Sequence, residues 1–218
     1  MLPRNNMAVN KFHLHHIDNE VNINNMDIYR KMLPVLLSVF LVLLSACGSH
    51  RLDVYHDPNF DFGAIRTVAV MPFENLSREN TAASRVRDVF MNMLQSSGTI
   101  YVLPPGEVAR GLTRAGLDRE KGTAPSQEEA VKLGGIVKAD AVITGVVREY
   151  GEVHSGAATS NIVSISLQMI ETQTGKIVWT ASSTRGGITT GDRLFGGGGR
   201  PMNDVTHEAV IDVINKLF

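Results

Sequence analysis

Residues 161–183 read NIVSISLQMIETQTGKIVWTASS. Val163, Ile165, Leu167 and Met169 alternate with Ser164, Ser166 and Gln168. A period of two places the apolar set on one face of a strand and the polar set on the other, the pattern of an antiparallel strand with one wet face. Thr174-Gly175 is a turn signal, and Ile177, Trp179 and Ala181 alternate beyond it. The stretch therefore predicts a β-hairpin. On such a strand Trp179 belongs to a core, not to a ligand-stacking platform.

Working upstream, Ala139 to Tyr150 (ADAVITGVVREY) reads as a strand, with Glu152 to Asn161 as the loop into the hairpin. RTVAVMPF, Arg66 to Phe73, is a β-branched run stopped by Pro72, and TIYVLP, Thr99 to Pro104, is a second short run. Between them, Thr81 to Ser96 carries Val86, Val89, Phe90, Met93 and Leu94 as one helical stripe, with Asn80 or Thr81 as the expected cap and Gly98 as the stop. Glu107 to Ala115 is a short helix. Ser126 and Glu129 have the spacing of a capping box for the next helix, in which each side chain satisfies an orphan backbone donor. Downstream, Asn203 to Leu217 closes the chain as a helix with Val205, Ala209, Val210, Val213, Ile214 and Leu217 on one side. The order β-α-β-α-α-β-β-β-α predicts an α/β fold, a mixed sheet of about five strands backed by helices, over residues 65–218. Parallel pairing is expected among the early strands and antiparallel pairing among the last three.

The amino-terminal part reads differently. Arg30 and Lys31 precede an apolar run, Leu33 to Leu44, and then small residues. That is the layout of a secretory signal. The run holds 12 residues, short of the roughly 17–25 a spanning helix needs. Cys47 is the only cysteine, so no internal disulfide staples the fold. Leu44-Ser45-Ala46-Cys47 resembles a bacterial lipobox. The resemblance implies cleavage before Cys47, a diacylglyceryl group on its thiol and an acylated, palmitate-type amino end, giving a membrane anchor through lipid. Gly48, where an aspartate would signal inner-membrane retention, points to the outer membrane, facing the periplasm. On this reading residues 26–46 are the signal peptide and 47–64 a lipidated tether. Met26 gives a better start than Met1, so residues 1–25 are expected to be a non-native extension, and His13, His15 and His16 within it carry no metal site.

From Cys47 onward there are 17 basic and 19 acidic side chains, a balance that offers no footprint for nucleic acid. Lys176 is followed by Ile177, and no Lys-Ser/Thr follows Gly196 to Gly199, so the phosphate-loop pattern is incomplete. No G-x-S-x-G is present. His50, His56, His154 and His207 are scattered, with His154 expected in the hairpin loop, and no carboxylates are paired by spacing as acid and base. No catalytic residue, cofactor or metal site is expected. The glycine-rich stretch Thr184 to Pro201 has two readings. It is either a disordered connector or a contact loop in which Arg193, Leu194, Phe195 and Arg200 are interface anchors.

VAVMPFENLSRE, KADAVITGVVREYGEV and VSISLQMIETQTGKIVWTASS together resemble the core of the curli-secretion (CsgG-like) lipoprotein superfamily, with its PelC-like exopolysaccharide-export and LpoB-like synthase-activating members. The resemblance spans residues 66–218. It implies a non-enzymatic, lipid-anchored periplasmic α/β domain that works with other envelope proteins, several relatives forming rings of like copies. A membrane β-strand takes about 9–11 residues. Glu152 to Asn161 is too short for a pore hairpin, and residues 184–201 lack the apolar alternation. The expected role is thus an accessory or scaffold in an envelope assembly or export complex. The alternatives are an activator that binds a peptidoglycan synthase and a carbohydrate-binding or hydrolytic protein.

Overall fold

The computed structural model describes residues 32–34, 53–117, 125–156, 158–188, 191 and 199–218. The chain divides into two units, Met1–Arg51 and Leu52–Phe218. In the first, only 32–34 are described, helical and exposed. The second holds β1 (Val54–His56), β2 (Thr67–Val70), β3 (Glu74–Asn75), α1 (Ala82–Ser96), β4 (Tyr101–Val102), α2 (Pro105–Ala115), α3 (Gln127–Val137), β5 (Ala141–Ser155), β6 (Ala158–Glu171), β7 (Ile177–Gly186) and α4 (Met202–Asn215).

All strands join one seven-stranded mixed sheet in the order β1-β7-β6-β5-β2-β4, with β3 on β5. β2 pairs in parallel with β4 and β5, while β5, β6 and β7 form an antiparallel meander. Parallel neighbours need a crossover, and α1 and the α2–α3 pair supply the two crossovers. The α/β class and the pairing senses are those the sequence predicts.

The strand count differs from the expected five for physical reasons. β1 is three residues long and exposed throughout, so it carries no burial alternation; it docks on the outer edge of β7, Val54 opposite Ala181 and His56 opposite Trp179. β3 is only two residues inside a polar loop. A second difference is the loop expected at 152–161. The strands run on instead, with Glu152 opposite Asn161, Val153 opposite Ser160 and His154 opposite Thr159, and they turn at Gly156, whose φ is +60°. His154 therefore lies on a strand. One face of this end carries Glu152, His154, Thr159 and Asn161, and the buried residues of the other, Ala158 and Ser160, are small or polar, so no apolar alternation marks it. The cap expected on α1 is also not of the usual form. Thr81 Oγ1 donates to Glu79 Oε1 at 2.7 Å and gives the helix no side-chain cap. The Ser126–Glu129 capping box is present in full.

Two apolar layers follow from the pleat. Val163, Ile165, Leu167 and Met169 of β6, with Trp179 and Ala181 of β7, face Val86, Phe90 and Leu94 of α1 and Val205, Ala209, Val210 and Val213 of α4. On the other face, Ala69, Met71, Val142 and Ile170 meet Val108 and Leu112 of α2 and Ala130 and Leu133 of α3. Asp140 ties the sheet together at its lower end: its Oδ2 accepts from the Arg66 and Thr67 N–H groups at 2.9 and 2.8 Å.

Candidate functional site

α2 and α3 cover only the part of their face near β2, β4 and the start of β5. Farther along β5, β6 and β7, the same face is left open. The register places Tyr55, Thr180, Gln168 and Thr144 in one row across four strands, and Ser182, Ser166 and Val146 in the next. Together with Asp53 and Arg148 they line a shallow groove of about 560 Å3. Thr144 is 1% exposed, and its hydroxyl has no hydrogen-bond partner. Among the described residues that line the groove, Asp53 is the one carboxylate. Acid–base glycoside cleavage uses a pair, so this groove suits contact through hydroxyl, amide and tyrosyl groups rather than that chemistry. Sequence reading missed it. Ser164, Ser166 and Gln168 marked a wet face, but only the docking of β1 turns that face into a groove with a tyrosine at its side.

The second feature is the pole of the domain at the β5–β6 turn. The Gly187 N–H donates to the Asn161 carbonyl at 2.8 Å, and the Gly199 N–H donates to the Thr159 carbonyl at 3.0 Å. Asn161 Nδ2 donates to the Arg200 carbonyl at 2.7 Å. Both described ends of the glycine-rich stretch are therefore pinned side by side on the first residues of β6. Of the predicted contact residues, Arg200 is placed here, its guanidinium paired with Glu208 of α4. It thus fastens the pole as well as facing solvent. Arg193, Leu194, Phe195 and Cys47 lie outside the described residues.

Charge elsewhere is structural. Arg87, on α1, donates from Nη2 to the Val70 carbonyl at 2.7 Å, and burial pushes its guanidinium pKa down from the usual value. Asp212 is raised by burial, but hydrogen bonding and charge from Lys216, together with charge from Arg185, outweigh that and hold its carboxyl below the usual range. These partners stand at 2.8 and 2.5 Å. The ring of His56 packs on Phe62 with centroids 5.3 Å apart, and His207 is exposed on α4. Among the described residues no group of three or more His, Cys, Asp or Glu side chains is arranged to hold a metal.

This architecture matches a known family: its model for GNA1162-like lipoproteins covers residues 59–214. The chain belongs to the GNA1162-like lipoprotein family. The match narrows the sequence resemblance to this family. GNA1162 from Neisseria meningitidis itself is 20% identical; the likeness covers 70% of this chain and 97% of that one at a TM-score of 0.51. A PelC dodecamer from Paraburkholderia phytofirmans is 16% identical, over 75% of this chain and 97% of that one, at a TM-score of 0.50. The LpoB C-terminal domain from Escherichia coli is 15% identical, over 55% of this chain and 81% of that one, at a TM-score of 0.43. No curated protein matches the chain. At these identities the GNA1162 and PelC structures share the family's fold with this chain and no more.

Proposed function

We propose that this member of the GNA1162-like family is a non-enzymatic lipoprotein of the outer membrane, held on the periplasmic side through Cys47 after removal of residues 26–46. It acts as an accessory or scaffold in an envelope assembly or export complex. One observation carries the reading: a lipobox cysteine stands directly after a signal-type apolar run and six residues before Asp53, where the chain meets the sheet of a lipoprotein-family domain. Replacing Cys47 with serine should therefore move the protein from the membrane to the soluble fraction and end its labelling with radioactive palmitate. Unchanged fractionation of Cys47→Ser would remove the anchor from the account.

Among the described residues, the β5–β6 ladder supports an accessory role over a conduit. The far end of the β5–β6 ladder carries Glu152, His154, Thr159 and Ser160, with no outward apolar band of the kind a membrane strand presents to lipid. Work as a scaffold goes with assembly from like copies, and the fold-sharing PelC is a dodecamer. Light scattering on the detergent-extracted lipidated protein is expected to give a discrete high oligomer. A monomer would replace the scaffold with a one-to-one partner, as an enzyme activator would be.

A further inference from the structure

We propose that the groove across β1, β7, β6 and β5 is a binding site for a segment of neutral glycan. The site owes nothing to the anchor at Cys47.

The open sheet face holds two kinds of polar side chain. Nearer the β5–β6 turn, Ser164 and Thr184 stand opposite each other and their hydroxyls bond at 2.9 Å. In the groove the pattern changes. Ser166, Gln168, Thr180 and Ser182 are partly buried, and among the described residues none of their side chains has a hydrogen-bond partner. At the floor, Thr144 is 1% exposed with its hydroxyl unpartnered. Leaving a buried hydroxyl unpaired is costly to a fold. Its place at the floor of a groove points to a group that arrives from outside. Gln168 is its partner across the ladder. That long side chain is held by no hydrogen bond, so it can rotate aside and admit a ligand to the floor.

The lining selects the class of ligand. A side-chain hydroxyl both donates and accepts, and an amide offers one end of each kind. Sugar hydroxyls have the same double character, so either group can lead in each contact. The row Tyr55, Thr180, Gln168, Thr144 crosses four neighbouring strands. At about 4.8 Å between strands it spans roughly 14 Å, the length of a short oligosaccharide. Tyr55, exposed at one end of the row, offers a ring with an apolar body and a polar tip, suited to the C–H face of a sugar. Charge adds a second constraint. Asp53 and Arg148 are the charged groups among the described lining residues, one of each sign, so the groove favours neither a polyanion nor a cation.

A polypeptide fits less well. An extended peptide adds to a sheet at its edge, whereas the main-chain groups beneath this groove are already paired in the ladder. Folded partners are held by aromatic and Arg anchors, and Ser, Thr and Val are under-represented among such anchors. Here Thr144, Val146, Ser166, Thr180 and Ser182 make up much of the lining.

The test uses the full chain in lauryldimethylamine oxide micelles, a detergent without a sugar headgroup. Cellotetraose, chitotetraose and maltotetraose are offered at millimolar concentration, and saturation-transfer NMR reads binding. Transfer to at least one of the three is expected. Gln168→Ala and Thr144→Val should each weaken it severalfold, while Gln173→Ala, at the exposed β6–β7 turn, leaves it unchanged. Thr144→Val carries a second readout. A hydroxyl kept for a ligand can be replaced by a methyl group with the urea midpoint level or raised, because an unpaired buried polar atom has gone. A lower midpoint for this variant would make the hydroxyl structural and overturn its role in binding. Transfer to none of the three sugars, or transfer that Gln168→Ala leaves intact, would overturn the site.

Discussion

Trp179→Ala is expected to lower the stability of the domain by about 3–5 kcal/mol, the usual cost of emptying a large aromatic site in a core. Trp179 is fully buried and is the largest such side chain among the described residues. It sits on β7 beneath α4, and its Nε1–H donates to the Lys216 carbonyl at 2.8 Å, so one side chain joins the sheet to the end of the last helix. Domains of this size are stable by about 5–15 kcal/mol in all, and the variant forfeits a large share of that. Urea unfolding followed by far-ultraviolet circular dichroism is the suitable readout, since Trp179 is the only tryptophan and its fluorescence goes with it. Trp179→Phe separates the two contributions. It keeps an aromatic ring in the site but leaves the Lys216 carbonyl without its donor, a loss of about 1–2 kcal/mol. A loss near zero for Trp179→Ala would mean that α4 does not depend on this contact for its place on the sheet.

That Trp179 would be core was readable from residues 161–183 because the alternation there is enforced by burial. One face of β6 meets α1 and α4, the other meets solvent, and a slip of one residue would invert them. The same logic fixed the stripe of α1 and the capping box of α3. It fails where the buried positions are filled by small or polar residues. Residues 151–155 pair with 158–162, yet one face carries Glu152, His154, Thr159 and Asn161 and the other buries only Ser160 and Ala158 beyond Tyr150, so the sequence there reads as loop. β1 is hidden for a related reason: its three residues are exposed and gain their place from hydrogen bonds to the edge of β7. The groove at Tyr55 and the pole at Gly156 both depend on these two elements. The candidate surfaces were thus less legible than the core that supports them. Arg200 was singled out as an anchor from composition alone, and its pairing with Glu208 across eight residues of sequence has no local pattern to betray it.

Gly186→Ala is expected to cost about 2–5 kcal/mol, combining a left-handed residue with an overpacked contact. Gly186 ends β7 with φ at +80°, opposite Ile162. A Cβ there would overlap the Asn161 carbonyl oxygen and lie 2.9 Å from Val205 Cγ1 on α4. The first obstacle is backbone, which no rotamer change relieves. The strand end must move away from β6, and the bond from the Gly187 N–H to that same carbonyl goes with it. Gly98 provides the comparison. Its φ of +67° is similar, but a Cβ there meets nothing within 4 Å. Gly98→Ala should therefore cost only the conformational part, about 1–2 kcal/mol. Urea midpoints give the two losses, and hydrogen exchange locates them. In Gly186→Ala the Gly187 amide should exchange faster than in the unaltered protein, while the Met169 and Trp179 amides deeper in the β6–β7 ladder keep their relative protection. Equal losses for the two glycine variants would show that the strand end can yield to a methyl group. The pole at Asn161, where the glycine-rich stretch leaves and returns, would then be held by Gly199 and Arg200 without help from β7.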